Sequence, residues 1–148
     1  MKKGEMLSKA IHIATNAHHG QFDKGGKPYI LHCFRVMYNL ESDDEELLCM
    51  ALLHDVAEDT KITFQEMLEA GMTERVITAL RFVTKMPGQT YDEYKAGVLS
   101  SIDAMHVKKA DLTDNSDIRR LKGITEKDIE RTVKYQRFYM EIESKLKG

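Results

Sequence analysis

The stretch from Ala51 to Thr60, A-L-L-H-D-V-A-E-D-T, constrains this chain more than any other. Leu47, Leu48, Ala51, Leu52 and Asp55 fall on one face of a helix, so an apolar stripe leads directly to a carboxylate with His54 beside it. A carboxylate on a buried face needs compensation. A metal ion is one form of compensation, because a His-Asp pair offers a neutral nitrogen and an anionic oxygen together. Glu58 and Asp59 follow Asp55 at i+3 and i+4, where a continuing helix brings side chains together. Three carboxylates this close repel one another and resist ionisation unless a cation joins them. The pattern predicts a metal pair, His54 and Asp55, with an acid/base pair, Glu58 and Asp59, next to it. The alternative is a solvated acidic helix end, which fits poorly with an apolar run entering the cluster.

The rest of the chain predicts helices to carry that stretch. Two prolines in 148 residues, and no long alternation of apolar and polar residues, favour helix over strand. A hydrophobic fraction of 42% with 31% charged residues predicts one globular domain over residues 1–148, with its core motifs within 10–117. The net charge of −2 gives no electrostatic case for a nucleic-acid partner. No apolar run approaches the length of a membrane span, and the N-terminus M-K-K-G-E-M-L-S-K lacks a signal-peptide core, so a cytoplasmic protein without a membrane partner is expected. Cys33 and Cys49 form no C-x-x-C pair and read as buried free thiols.

Helices are predicted over Glu5–His18 and Ile30–Leu40, the second packed by Leu31, Phe34, Val36 and Leu40. S-D-D-E-E over residues 42–46 starts a third helix that carries His54 and Asp55. Thr63 with Glu66 reads as a capping box and Gly71 as a stop, after which Thr73 caps the next helix. Lys85–Gln89 is a connection, followed by helices over Tyr91–Ser101 and Ile102–Asn115. A final helix, about 125–145, is expected to pack through Ile129, Val133, Phe138 and Ile142. Between the first two helices lies the clearest loop, Q-F-D-K-G-G-K-P-Y, in which Lys24 and Lys27 flank two glycines; it matches neither a P-loop nor a dinucleotide fingerprint. Taken alone, His12 and His32 read as structural rather than ligating; His18 and His19, adjacent and so pointing in different directions, do not form a joint metal site, and a helix C-terminal role fits them at least as well as a contact at a pocket rim. Lys108, Asp111 and Asn115 share one helix face, which fits a solvated face and a site equally.

An early His, a later His-Asp pair and a lone Asp much later resemble the HD superfamily of metal-dependent phosphohydrolases, here His32, His54, Asp55 and Asp111. The segments A-H-H-G-Q-F-D-K-G-G-K-P-Y-I-L-H, A-L-L-H-D-V-A-E-D-T, F-V-T-K and K-K-A-D-L-T-D-N stand in the order of the hydrolase domain of the RelA/SpoT family, over about residues 10–115. The resemblance implies an all-α helical bundle and one manganese ion held by His32, His54, Asp55 and Asp111. It implies hydrolysis of the 3′-pyrophosphate of guanosine tetra- or pentaphosphate, a small-molecule nucleotide, with Glu58 and Asp59 as the catalytic pair. It makes Lys24 and Asn115 candidate substrate contacts, with Lys108 a further one. No synthetase domain is expected after this one, and the oligomeric state is left open.

Three positions depart from the family pattern. Asp23 stands where an arginine usually stacks on the guanine base, so it would accept from a guanine edge or select another base. Gly25 stands where serine is common, and Leu112 replaces the arginine after the last metal ligand. Loss of two arginines near an anionic nucleotide is expected to weaken binding or change specificity. That leaves a related phosphohydrolase for another nucleotide or nucleotide cofactor as the alternative, and a metal-holding module without turnover as the non-enzymatic one. Replacing Asp23 by arginine is expected to improve guanosine binding.

Overall fold

A computed structural model describes residues 1–148 and contains no named β-strand. Its helices are α1 (Glu5–Ala17), α2 (Ile30–Asn39), α3 (Glu45–Leu53), α4 (Val56–Asp59) and α5 (Phe64–Ala70), then α6 (Glu74–Val83), α7 (Tyr91–Leu99), α8 (Ile102–Asn115) and α9 (Glu126–Lys147). A 3-10 turn at Ile118–Arg120 precedes α9 and is not apparent from the sequence. The fold is the expected all-α bundle. No helix is long and apolar enough to cross a membrane.

α3 is the axle of the packing. Leu47, Cys49, Met50, Ala51, Leu52 and Leu53 are all buried, so the helix is apolar round most of its circumference and must be enclosed. α1, α2, α6 and α8 enclose it, and α2 also lies against α8. Full burial of a side chain such as Leu52 or Leu53 is worth about 1.5–3 kcal/mol relative to exposure. Polar caps set where the helices begin. Asp44 accepts from the backbone of Glu46 and Leu47 at the start of α3, Thr63 and Thr73 cap α5 and α6, and Thr90 and Thr125 form reciprocal capping boxes at α7 and α9. Gly71 closes α5 with φ 115°, a left-handed conformation that glycine adopts without strain.

Three details differ from the sequence expectation. The third helix does not run on through the acidic cluster: it ends at Leu53, and His54 and Asp55 form a turn before α4. In the last helix Phe138 and Ile142 are buried, whereas Ile129 and Val133 are each 44% exposed, so only the later part of α9 packs with an apolar face. Leu31 is exposed at the start of α2 rather than packed. Cys33 and Cys49 are free and buried, and burial pushes each thiol up to about 12.

Candidate metal centre

Because α2, α3 and α8 pack on one another, the first turn of α2, the turn after α3 and the body of α8 meet at one point. His32, His54, Asp55 and Asp111 converge there, each offering a ligand atom within 4.8 Å of the others. His54 Nε2 lies 2.9 Å from Asp55 Oδ2 and 3.1 Å from Asp111 Oδ1. His32 Nε2 lies 3.0 Å from Asp111 Oδ1 and 3.6 Å from Asp55 Oδ2. The break between α3 and α4 is what turns both His54 and Asp55 to the same point, which an unbroken helix would not do for adjacent residues.

The outer nitrogens fix the inner ones. His54 Nδ1 is 2.6 Å from the Ala51 carbonyl, which can only accept, so Nδ1 carries the hydrogen. His32 Nδ1 likewise donates to Asp114 Oδ2 at 2.6 Å. Both Nε2 atoms then face the carboxylates. His32 Nε2 is buried and has no hydrogen-bond partner. Two imidazole nitrogens and two carboxylates aimed at one point, one nitrogen unpartnered, fit a divalent cation. Without a cation the group relieves its charge by protonation. Burial pushes the His54 pKa down, but Asp55 and Asp111 outweigh it and hold the ring well above its ordinary value. Burial pushes Asp111 up, yet Lys108 and His54 hold it well below the usual carboxylate range.

Other side chains hold the four in place. Tyr29 Oη donates to Asp55 Oδ2 at 2.5 Å, Lys108 Nζ to Asp111 Oδ2 at 3.0 Å, and Asn115 Nδ2 to Asp111 Oδ1 at 3.0 Å. The face shared by Lys108, Asp111 and Asn115 therefore looks into the site. Asp114, the partner of His32, is itself held by Arg35 Nε at 2.7 Å and Arg120 Nη1 at 2.9 Å. The sequence reading missed Asp114, Tyr29, Arg35 and Arg120. For Asp114 there was a signal, since it lies three residues after Asp111 on α8; for Arg120, 85 positions further along the chain than Arg35, there was none.

Glu58 borders a cavity of about 200 Å³ together with His54, Asp55, Lys108, Asp111 and Asn115, and Lys85 reaches the same cavity from the α6–α7 connection. Partial desolvation, then the nearby charge of Asp55, raises the carboxyl pKa of both Glu58 and Asp59. The Asp59 carbonyl accepts from Gln21 Nε2 at 3.2 Å, and Gln21 Oε1 lies 2.8 Å from Nδ1 of the buried His18. His18 thus has a structural partner, while His12 and His19 are exposed. A second cavity of about 240 Å³ lies under the loop after α1 and is lined by Phe22, Asp23, Lys24, Arg120 and Tyr135. Tyr29 and Asn115 line both cavities, so the two adjoin at the centre.

The departures from the family pattern take different places. Leu112 is 1% exposed and belongs to the hydrophobic core, so that position presents nothing to either cavity. The expectation of a lost nucleotide contact there is corrected: its side chain faces the core. Asp23 accepts from Lys27 N at 2.8 Å and from Arg120 Nη2 at 3.2 Å, one bond to each carboxylate oxygen. Gly25 sits so close to the Arg120 carbonyl that a Cβ there would lie 2.1 Å from it, so the backbone as it stands leaves no room for a side chain, including the serine expected from the family pattern.

A family model described as "HD domain" matches residues 10–122, and the chain belongs to that family. It is 32% identical over 120 residues to a guanosine-3′,5′-bis(diphosphate) 3′-pyrophosphohydrolase of Aquifex aeolicus, covering 76% of this chain and 17% of that protein. It is 32% identical over 137 residues to the bifunctional (p)ppGpp synthase/hydrolase SpoT of Escherichia coli, covering 86% of this chain and 19% of that protein. The chain thus spans under a fifth of the length of these relatives. A solved structure described as a metazoan ortholog of SpoT that hydrolyzes ppGpp superposes with a TM-score of 0.79 at 24% identity, covering 96% of this chain and 87% of that one, which establishes the shared fold.

Proposed function

We propose that the chain is a metal-dependent phosphohydrolase that removes the 3′-pyrophosphate of guanosine tetra- or pentaphosphate, consuming water and releasing pyrophosphate with GDP or GTP. The observation that carries the reading is the convergence of His32, His54, Asp55 and Asp111, each offering a ligand atom within 4.8 Å of the others. The names of the relatives supply the substrate. His32, His54, Asp55 and Asp111 would hold one Mn²⁺, for which mixed nitrogen and oxygen donors are suited. When bound, such an ion lowers the pKa of water and offsets charge on phosphoryl oxygens.

The chain's own residues do the rest. Glu58 and Asp59 are assigned to orient the attacking water and accept its proton, a role for which a raised carboxyl pKa is an advantage near neutral pH. Lys108 and Asn115 restrain Asp111, and Tyr29 restrains Asp55, so both carboxylates keep one orientation during the reaction. Lys24, exposed on the second cavity, is assigned to substrate phosphate, and Phe22 and Tyr135 give that cavity aromatic surface for a base. Asp23 favours a second reading, hydrolysis of a different nucleotide, because it stands in place of a stacking arginine.

The test is incubation of purified protein with guanosine tetraphosphate and Mn²⁺ beside a metal-free control, with products resolved by anion exchange. GDP and pyrophosphate formed only with metal are expected. Absence of product from protein verified to be metal-loaded would sink the alarmone assignment, and a panel of other nucleotides would then decide the second reading.

A further inference from the structure

Arg120 lines the cavity under the loop and reaches toward the metal side through Asp114. Its Nη1 contacts Asp114 Oδ2 at 2.9 Å, the oxygen that also takes the Nδ1 hydrogen of His32. Its Nη2 reaches Asp23 Oδ2 at 3.2 Å, across a sequence separation of 97 residues. Nη1 also donates to the Asp114 carbonyl at 3.1 Å, and the Arg120 carbonyl is the surface on which Gly25 rests. Asp114 is 5% exposed, so the charge of this carboxylate depends on its cationic neighbours. A carboxylate behind a ligating histidine sets the tautomer, orientation and basicity of the ring.

We infer that Arg120 is a positioning residue for the metal ligand His32, acting through Asp114, and that Asp23 serves as the anchor of Arg120 rather than as a nucleotide contact. The chain of contacts is Asp23, Arg120, Asp114, His32. A guanidinium suits the task because its rigid planar fork sends separate nitrogens to the two carboxylates, Nη1 to Asp114 and Nη2 to Asp23, a fixed geometry that a single-nitrogen ammonium lacks. Asp23, the most conspicuous departure from the family loop, thereby acquires a role that needs no base recognition. The inference rests on the proposed metal site but not on the proposed substrate.

The experiment titrates Mn²⁺ into the full chain by calorimetry with no nucleotide present, for the parent, Arg120→Gln, Arg120→Lys, Asp23→Asn and the double variant Asp23→Asn/Arg120→Gln. Arg120→Gln is expected to weaken Mn²⁺ binding about tenfold, within the range for lost partners behind a metal ligand. Asp23→Asn keeps the bond from Lys27 N and is expected to lose less, Arg120→Lys to recover part of the loss, and the double variant to bind like Arg120→Gln alone, as for two members of one network. Arg75→Gln removes an arginine that pairs with Asp44, Glu46 and Asp103 on the surface, and it should leave Mn²⁺ binding unchanged, which separates positioning from general loosening. Parent-like Mn²⁺ binding in Arg120→Gln or Asp23→Asn, or equal weakening in Arg75→Gln, would overturn the inference. A protein inactive on guanosine tetraphosphate whose Mn²⁺ affinity nonetheless follows this order would overturn only the substrate assignment.

Discussion

The two cavities share Tyr29 and Asn115, yet their charges are arranged differently. In the metal-side cavity Asp55 and Asp111 face two imidazoles, and Glu58 adds a further carboxylate at the edge, with Lys108 the one lysine bonded into the cluster. In the cavity under the Gln21–Tyr29 loop each acid has an arginine partner: Asp23 with Arg120, which Asp114 shares, Asp117 with the exposed Arg119, and Asp128 with Arg131. Lys24 makes no ion pair there. One cavity is short of positive charge and draws a cation. The other is nearly balanced and leaves one lysine and its aromatic surface for a ligand.

The largest effect should come from the cation-deficient side. His54→Ala or Asp55→Ala removes one of four donors that converge from three elements, and the remaining three no longer surround the point. Mn²⁺ binding and turnover are expected to disappear together, read by calorimetry and by product formation. Asp59→Asn and Glu58→Gln are the next largest: turnover should fall by about 10²–10⁴, the range for a lost proton acceptor, while Mn²⁺ binding is retained. If these two lost metal as fully as Asp55→Ala, the division between holding the cation and moving the proton would fail.

Much of the metal side was legible in the sequence because it is built from local patterns. The apolar run of α3 has to be buried, and it delivers His54 and Asp55 to the interior whether or not the helix continues. Helical spacing placed Lys108, Asp111 and Asn115 on one face. His32 needed the family resemblance, since a lone histidine in the first turn of α2 carries no signal of its own. The loop side was far less legible. Its contacts join Asp23 to Arg120 and Gly25 to the Arg120 carbonyl, and such pairings depend on how the 3-10 turn returns to the loop rather than on any spacing. The same cause explains Leu112: the motif position suggested a nucleotide contact, but its place on α8 points into the core.

A pH titration sharpens the comparison without any substrate. Partial desolvation, then the charge of Asp55, raises the Glu58 pKa, so the folded, metal-free protein holds this proton to higher pH than a free glutamate does. Its carboxyl carbon, followed by ¹³C NMR, should therefore titrate above the usual glutamate value of about 4.3. In linkage terms the protonated form adds stability below the unfolded pKa, and this is lost as pH rises through the folded pKa, so the ionised group opposes folding at neutral pH. Saturation with diamagnetic Mg²⁺ or Zn²⁺ should move the titration down, because the added cation offsets Asp55. A titration that is already at the ordinary value, or that metal leaves in place, would contradict a charge-deficient cavity.

The smallest effect, and the most discriminating for the loop side, is Asp23→Arg. From sequence alone the change restores the family arginine and should favour guanosine. With Asp23 held against Arg120 the sign reverses, because the substitution sets two guanidinium groups at a separation where the native pair is 3.2 Å apart. Arg120 would then be pushed from Asp23, and its hold on Asp114 would slacken. Both guanosine tetraphosphate affinity and Mn²⁺ affinity are expected to weaken, each by up to about fivefold, the scale of a partly exposed ion pair. The Michaelis constant for the nucleotide and the calorimetric Mn²⁺ titration check the two separately. Tighter nucleotide binding with unchanged Mn²⁺ affinity would mean that the loop reaches the base independently of Arg120, and the two cavities would then be coupled only through Tyr29 and Asn115.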